Sequence, residues 1–188
     1  MGRSALQRTL LNIVAASAVL FLAPQAGEAR YDCQFRKHCD GFTGSIVVKG
    51  SPDEVFSAIR DSRTSERRKV LSVSGNRVLL EEKFAGLPVI GDAKCKYREI
   101  EIPPRRIDYE IVQSRQFKRF DGKWELSPLM EGKATLVKLT SCIDTYIKVP
   151  FSKRITDHGN KKDIRRRLVD IKSRVEGSSR RHISYAHK

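Results

Sequence analysis

The sequence predicts an α+β fold in which a curved antiparallel sheet wraps around one long C-terminal helix. The segment 151–176 carries Ile164, Leu168, Ile171 and Val175 at the i, i+4, i+7 and i+11 spacing of a single helical face. Its other faces are strongly basic, so the apolar face needs a covering surface. Upstream, about a hundred residues show mostly the two-residue periodicity of strands. A bent sheet is the covering surface that these residues can form.

The first strand and first helix have clear local signals. The β-branched run 43–50 predicts a strand that ends at its terminal glycine. A helix over 51–61 is predicted next, because Ser51 is a good N-cap and Pro52 suits the first helical position. Two acidic residues then favour the positive end of the helix dipole. The charged segment 60–69 is predicted to be a loop or a broken second helix.

Six further strands are predicted, which brings the total to seven. Glycine, asparagine or proline marks most of the boundaries between them, and Pro103 and Pro104 belong in a turn because neither can donate to a strand ladder. Residues 85–91 are predicted to form a loop or bulge. The six strands are 69–73, 78–84, 92–102, 107–112, 117–126 and 134–148.

The predicted domain spans residues 43–176, between two segments without apolar patterning. Residues 30–42 are polar and irregular, and are predicted to be a tether. Residues 177–188 are basic and rich in serine, which predicts a disordered tail. Within the long helix, Gly159 and Asn160 are poor helix formers, so we expect a kink or a separate short helix before the apolar stripe.

The N-terminal residues 1–29 have the three-part layout of a secretory signal. Arg3 and Arg8 precede an apolar block at 10–23, and a stretch of small residues follows and ends at Ala29. The block is short for a membrane span, which needs roughly 20 residues. We therefore expect a signal peptide cleaved after Ala29 and an exported protein, with an uncleaved anchor or a buried helix as the alternatives.

The chain is strongly basic, with a formal net charge of +15. Such an excess favours association with anionic surfaces such as nucleic acid, phospholipid head groups or polyanionic glycans. Export makes nucleic acid the least expected of these partners. The basic runs 63–69, 115–119 and 161–167 are either solvated faces or a docking surface for anionic lipid. The candidate residues for that surface are Arg67, Arg68, Arg115, Lys118, Arg165 and Arg166.

Four cysteines in an exported protein indicate disulfides. Cys33 with Cys39 closes a short loop and is the favoured pair. If Cys95 and Cys142 lie on strands that are not neighbours, they are too far apart to bridge, and are then buried thiols or partners of the N-terminal pair. Cys33, Cys39 and the intervening His38 form at most half of a zinc site, so no metal site is expected.

No catalytic residues are predicted. The histidines fall in the tether, in the interrupted part of the helix and in the tail, away from the sheet interior where a triad would need one. Paired carboxylates act as acid and base only if both point into a cleft. Glu81 and Glu82 are strand neighbours and face opposite ways. Glu99 and Glu101 share a face, which we expect to be solvated.

Three segments together resemble a known superfamily: SPDEVFSAIRD at 51–61, FDGKWELSPLMEGKATLVKLT at 120–140 and DIRRRLVDIKSRVEG at 163–177. Their order resembles the START-like (SRPBCC) superfamily of helix-grip domains, in its polyketide-cyclase and coenzyme-Q-binding branch. The resemblance covers residues 43–176. It implies a seven-stranded antiparallel sheet that grips the last helix, with an apolar cavity that in relatives takes lipids, quinones or polyketides. It implies no particular reaction, since this scaffold hosts carriers, cyclases and receptors.

The inward-facing aromatic residues are either cavity lining or packed core, because aromatic side chains fill most sheet interiors. If the resemblance holds, part of this set borders the cavity, and its tyrosine and tryptophan members offer polar groups to an apolar guest. The candidate ligand-binding residues are Tyr97, Tyr109, Ile111, Phe120, Trp124, Val137, Leu139, Ile143, Leu168 and Ile171.

We therefore expect an exported, monomeric binding or carrier domain for a hydrophobic small molecule or lipid, without a cofactor, whose basic surface aids contact with anionic membranes. One alternative is an enzyme of the polyketide cyclase or aromatase type that uses a polar cavity group such as Tyr109. Another is an interaction module with a fully packed core that recognises an acidic partner. A cavity smaller than a few hundred Å³ would favour the last hypothesis.

Overall fold

The computed structural model describes residues 33–38, 41–87, 91–147 and 150–185. They form one eight-stranded antiparallel sheet with the strand order β1-β2-β8-β7-β6-β5-β4-β3, and two α-helices. The strands are β1 Gln34–His38, β2 Gly41–Val48, β3 Arg68–Ser74, β4 Arg77–Leu87, β5 Gly91–Ile102, β6 Arg106–Ser114, β7 Phe117–Leu129 and β8 Ala134–Thr145, and the helices are α1 Pro52–Asp61 and α2 Ser152–Tyr185.

The predicted fold class is confirmed: a large antiparallel sheet packs against a long C-terminal helix. The predicted count of seven strands is wrong, because residues 34–38 of the expected tether form an eighth strand. This strand pairs with β2 in antiparallel register, with Phe35 opposite Gly44. It lies at the edge of the sheet, where polar side chains are the rule, and so it lacks the apolar alternation that reveals a central strand.

Helix α1 begins as its sequence predicts. The Ser51 hydroxyl accepts a hydrogen bond from the Glu54 backbone N–H, and the Glu54 carboxylate accepts one from the Ser51 backbone N–H at 2.7 Å. This reciprocal pair is a capping box. The apolar residues Val55, Phe56 and Ile59 are buried against the sheet side of the domain. The segment between α1 and β3 contains no second helix.

Helix α2 is continuous from Ser152 to Tyr185, so the kink expected at Gly159 and Asn160 is absent from it. The Asn160 side-chain amide donates a hydrogen bond to the Ser141 backbone carbonyl at 2.9 Å. A bond of this kind is worth about 1 kcal/mol, which offsets the poor helix propensity of the pair. The predicted apolar stripe is confirmed, since all four of its residues are buried.

The helix also continues through residues 177–185, which correspond to most of the predicted disordered tail. That prediction rested on the absence of apolar patterning. Adding residues to an existing helix costs far less than nucleating one, so a turn with no apolar face can extend a helix whose earlier turns are packed. Neither of the two helices in the described part of the chain has the long apolar stretch that crossing a bilayer requires.

Contact between α2 and the sheet is closest at Gly44 on β2. A Cβ atom there would lie 2.5 Å from Cγ2 of Ile164, so only glycine allows this approach. Farther along the helix, the Lys172 ammonium donates to the Val47 carbonyl at 2.7 Å. The helix is therefore attached at the β2 side of the sheet. At β3 and β4 the space between helix and sheet remains partly open, as described below.

The cysteine predictions have separate outcomes. Cys95 lies on β5 and Cys142 on β8, and two strands separate them, so these buried residues do not bridge each other. Burial, with a smaller contribution from Glu82, raises the pKa of the Cys95 thiol to about 12. The Cys33–Cys39 pairing and the signal peptide at 1–29 stay predictions, because Cys39 and residues 1–29 lie outside the described residues.

Candidate functional site

A cleft of about 400 Å³ opens between α2 and the connection from α1 to β3. We call it the arginine cleft. Its floor is formed by Glu82 on β4 and Trp124 on β7. The helix contributes Arg166, Arg167, Asp170, Ile171 and Arg174, and the α1–β3 connection with the start of β3 contributes Ser62, Ser65, Glu66, Arg67 and Arg68.

The helix forms its side of the cleft with a second stripe next to the apolar one. Asp163, Arg167, Asp170 and Arg174 repeat the i, i+4, i+7, i+11 spacing of the apolar residues, displaced by one position. Successive residues of an α-helix are rotated by about 100° around its axis, so the two stripes face different directions. The apolar stripe packs on the sheet, and the charged stripe borders the cleft. This charged stripe is visible in the sequence, but we interpreted it only as part of a basic face.

Glu82 is the centre of the charged network behind the cleft. Its side chain points inward from β4 and is 4% exposed. It accepts hydrogen bonds from Nε and Nη2 of Arg68 at 3.2 and 3.1 Å, and from Nη2 of Arg167 at 2.9 and 3.1 Å. The Tyr97 hydroxyl donates a further bond at 3.3 Å.

The two arginines keep Glu82 ionised. Burial by itself would raise the pKa of this carboxyl, but the positive charges of Arg167 and Arg68 outweigh burial and hold the pKa below its ordinary value. The cleft therefore has a fixed negative charge in its floor. Arg68 and Arg167 already bind this carboxylate, so the three groups together carry a net positive charge.

The network continues along the helix through Asp163. This carboxylate accepts bonds from Nε of Arg167 and Nη2 of Arg166, both at 2.5 Å. Burial is again outweighed by neighbouring arginines, which lower the Asp163 pKa. The resulting chain Arg68–Glu82–Arg167–Asp163–Arg166 contains three positive and two negative groups.

Two further arginines border the cleft. Arg174 pairs with Asp170 at 2.9 Å. Arg67 is exposed, and its guanidinium has no hydrogen-bond or ion-pair partner among the described residues. With Glu66 included, five arginines and three acidic residues line the cleft, so its lining carries two more positive than negative charges. Its apolar side chains are Trp124 and Ile171.

A second buried charge cluster lies under the α1–β3 connection. Nε of Arg63 donates to Glu99 at 2.6 Å and Nη1 donates to Glu101 at 2.5 Å. Both carboxylates are on the inner face of β5, so the expectation that they share a solvated face is wrong. Arg63 covers them and supplies one compensating charge, and Arg60, whose Nε lies 3.5 Å from Glu101, supplies a second. Burial raises the pKa of Glu99 despite the opposing effect of Arg63. Neither carboxylate lines the arginine cleft.

The ten predicted ligand-binding residues divide into two groups. Trp124 and Ile171 line the arginine cleft. The other eight do not border the cleft, and all ten pack in or against the hydrophobic core, with Trp124 4% and Ile171 1% exposed. Among them, Tyr109 is buried and its hydroxyl donates to the Thr140 carbonyl at 3.1 Å. The eight residues that do not border the cleft are Tyr97, Tyr109, Ile111, Phe120, Val137, Leu139, Ile143 and Leu168.

Aromatic packing explains why the interior beyond the cleft is filled. Tyr97, Tyr109 and Phe120 form mutual ring contacts with centroid separations of 5.3 to 6.1 Å. Phe84 and Phe117 extend the same cluster, 5.2 Å apart. These rings occupy the space between β4, β5, β6 and β7 that an apolar cavity would otherwise use.

The six candidates for an anionic-surface site lie in different regions. Arg67, Arg68 and Arg166 line the arginine cleft. Lys118 lies 3.7 Å from Asp144, and the Arg165 guanidinium lies 5.4 Å from the ring centroid of Phe35. The sixth, Arg115, lines a second depression, described next. The part of the chain that the structure describes contains no group of three or more histidine, cysteine or acidic residues that could hold a metal ion.

A second depression, of about 630 Å³, lies at the ends of β4, β5 and β6. We call it the outer groove, because residues such as Lys83 and Lys96 point to the outer face of the sheet. They alternate along their strands with neighbours that point inward. Its basic residues are Lys83, Lys94, Lys96 and Arg115, and its acidic residues are Glu81 and Asp92. None of the four basic residues has an ion-pair partner among the residues that are described.

Comparison with known proteins agrees with this architecture. The model of the family described as "Polyketide cyclase / dehydrase and lipid transport" matches residues 41–176. No curated protein matches the sequence.

Three solved structures illustrate the similarity. A Thermus thermophilus protein is 17% identical, with a TM-score of 0.59 over 73% of this chain and 97% of that chain. The Zhui aromatase/cyclase from Streptomyces sp. R1128 is 14% identical, with a TM-score of 0.58 over 82% of this chain and 99% of that chain. A STAR-related lipid transfer protein from Xanthomonas axonopodis is 13% identical, with a TM-score of 0.55 over 77% and 98%. At these identities the likeness shows a shared fold.

Proposed function

The chain belongs to the polyketide cyclase / dehydrase and lipid transport family, and from this premise we propose that it is a binding or carrier protein that holds a hydrophobic small molecule or lipid in the arginine cleft. The observation that carries this proposal is the cleft itself. Its volume of about 400 Å³ falls within the range of roughly 300 to 1,000 Å³ that small-molecule sites occupy. The interior beside the cleft is packed, so the cleft is the space that a guest would occupy.

The polar groups around the cleft favour binding over catalysis. A catalytic acid or base must reach the guest with a proton to give or a lone pair to accept one. The Tyr109 hydroxyl is buried in the core and donates to a backbone carbonyl. Glu82 does border the cleft, but two arginines hold it as a carboxylate. Glu99, whose pKa is raised by burial, lies outside the cleft.

The proposal also includes export of the protein and its contact with anionic membranes. The layout of residues 1–29 supports export. The outer groove supports contact with anionic membranes, because its four basic residues have no ion-pair partner among the described residues. Each could contribute about 1 kcal/mol near an anionic bilayer. Sedimentation with vesicles tests this part: binding should need anionic lipid and should fall at high salt, and indifference to both variables refutes it.

Trp124 provides a direct test of guest binding, because it is the single tryptophan of the chain and lines the cleft. Bromine atoms on an acyl chain quench tryptophan fluorescence on contact. We expect brominated octadecanoyl compounds, kept below their aggregation concentration, to quench Trp124 saturably and to be displaced by unbrominated analogues. Native mass spectrometry of the purified full chain should show a bound lipid or small apolar molecule.

The matched control moves the fluorophore away from the cleft. In a Trp124→Phe, Tyr146→Trp variant the only indole sits at a position where the native side chain is 60% exposed. Saturable quenching should disappear in this variant if guests occupy the cleft. Equal quenching of both proteins, or no quenching of either, would contradict the proposed function.

A further inference from the structure

We propose that the guest of the arginine cleft is an amphiphile with an oxyanion head group, a carboxylate or a phosphate monoester on an apolar chain. Its head is bound by Arg67 and by the free edge of Arg167. This inference rests on the proposed function and specifies the ligand class of the same site. It follows from the charges that line the cleft, from the geometry of Arg167 and from the hydrophobic guest of the proposed function.

The charges within the cleft do not balance. Glu82 is bound by Arg68 and Arg167, and Asp170 by Arg174. Asp163, just behind the lining, is bound by Arg166 and Arg167. Every carboxylate in this network therefore already has an arginine, and two of the three have two. The remaining acidic residue of the lining, Glu66, is included in the count that leaves the lining with two more arginines than acidic residues. A positive charge in a partly enclosed site is stabilised by an opposite charge, and the guest can supply it.

Arg167 is arranged as an anion donor. Its side chain is 12% exposed, and its Nε and Nη2 atoms bind Asp163 and Glu82. These bonds fix the plane of the guanidinium from two sides, so it cannot rotate away. Its Nη1 group has no hydrogen-bond partner among the described residues, although the residue lines the cleft. A fixed guanidinium edge with free N–H groups suits a carboxylate or phosphate oxygen.

Arg67 offers a second donor from the opposite wall. It lies on the α1–β3 connection, whereas Arg167 lies on α2, so an oxyanion placed between them would contact both sides of the opening. The exposed side chain of Arg67 has no partner among the residues that the structure describes, and its truncation should leave the fold intact. Arg67 is therefore the better position for a test.

The apolar part of the guest follows from the proposed function. Trp124 and Ile171 line the same cleft as the arginines, but they are 4% and 1% exposed and belong to the packed core, so they offer a guest little apolar surface. A neutral hydrophobic guest would leave the arginine charge without a partner. A molecule that is anionic at one end and apolar at the other matches both the proposed function and the charge of the cleft.

The test compares ligands that share one acyl chain and differ in the head group. Quenching of Trp124 in the full-length protein is titrated with a brominated octadecanoic acid, its methyl ester and the corresponding alkyl phosphate, each kept monomeric. We expect the acid and the phosphate to bind at least about tenfold more tightly than the ester, which corresponds to about 1.4 kcal/mol. Acetate and inorganic phosphate, which lack the chain, should compete only weakly.

Variants then assign the charge selectivity to the cleft. Arg67→Ala should weaken binding of the acid severalfold and leave the affinity for the methyl ester unchanged. The matched control is Arg77→Ala, which removes an exposed arginine of β4 that does not line the cleft. It should change neither affinity. Arg67→Lys keeps the charge and should restore part of the selectivity.

The outcomes separate the two proposals. Equal affinity for the acid and the ester would overturn the anionic head group and leave the proposed function standing. Saturable quenching by none of the acyl compounds would overturn both. Competition by inorganic phosphate as strong as that of the alkyl phosphate would overturn the amphiphile. Equal loss of acid affinity in Arg67→Ala and Arg77→Ala would overturn the assignment to this cleft.

Discussion

Replacing Glu82 with glutamine removes the negative charge between Arg68 and Arg167. The carboxylate accepts four guanidinium hydrogen bonds and one from Tyr97. Removing one partner of a buried ion pair costs about 3 to 5 kcal/mol, because the remaining charge stays buried without compensation. Glutamine keeps the volume and one acceptor oxygen, so we expect the free energy of unfolding to fall by about 3 kcal/mol. For a domain of this size the midpoint of thermal unfolding should drop by about 6 to 12 °C.

The effect should depend on pH in a defined direction. Burial raises the Glu82 pKa, but Arg167 and Arg68 outweigh it, so the native pKa lies below the ordinary value of 4.5. A carboxyl whose native pKa is lowered stabilises the fold above its unfolded pKa, and this contribution is lost as the pH falls through the native value. The difference between the wild type and Glu82→Gln should therefore be largest at neutral pH and should shrink below pH 4.5.

Urea unfolding followed by circular dichroism measures this difference at pH 7 and at successively lower pH. The matched control is Glu110→Gln on β6, where the carboxylate is 51% exposed and pairs with Arg98. Exposed pairs contribute little, so the control should change the free energy of unfolding by about 0.5 kcal/mol or less. A loss below about 1 kcal/mol for Glu82→Gln at pH 7, or a difference that stays constant on acidification, would refute the reasoning.

Four further predictions concern stability and reactivity. Gly122→Ala would bring a Cβ into overlap with the Thr140 carbonyl oxygen; it should lower the unfolding free energy by about 1 to 3 kcal/mol. Gly159→Ala, at a helical position with open space, should raise it by about 0.5 to 1 kcal/mol, and equal effects of the two glycine variants in urea unfolding would contradict the packing argument. Ser51→Ala should cost about 1 kcal/mol through loss of the α1 cap, and an unchanged urea midpoint would count against that cap. The Cys95 thiol, with its pKa raised to about 12, should resist iodoacetamide at pH 8.5 in the native protein and react after unfolding. Peptide mass mapping follows the alkylation, and rapid alkylation of the native protein would contradict the burial of this thiol.

Local signals predicted much of the fold because their physics is local. The capping box at Ser51 forms between residues three apart and depends on little else. The apolar stripe of α2 and the alternation in β7 follow from helix and strand geometry, and the buried Phe120 and Trp124 confirm the latter. These features place the helix against the sheet before any tertiary information is available.

Other features needed the tertiary structure. Strand β1 has no apolar alternation of its own, and it forms because β2 offers a free edge. Helix α2 runs through Gly159 because Asn160 finds a partner on β8, nineteen residues away in sequence. Glu82 and Glu99 look like surface residues in a strand until arginines from distant segments cover them.

The candidate site shows the same division. The sequence by itself determined that a basic amphipathic helix would close on a bent sheet, and it identified Trp124 and Ile171 among residues near the space between them. Only the tertiary structure decided that aromatic side chains fill most of that space and that an arginine-lined cleft remains beside it. The physical reason is that periodicity reports which face of an element is covered, whereas the partner of a buried charge and the volume left between packed side chains depend on contacts between residues far apart in the chain.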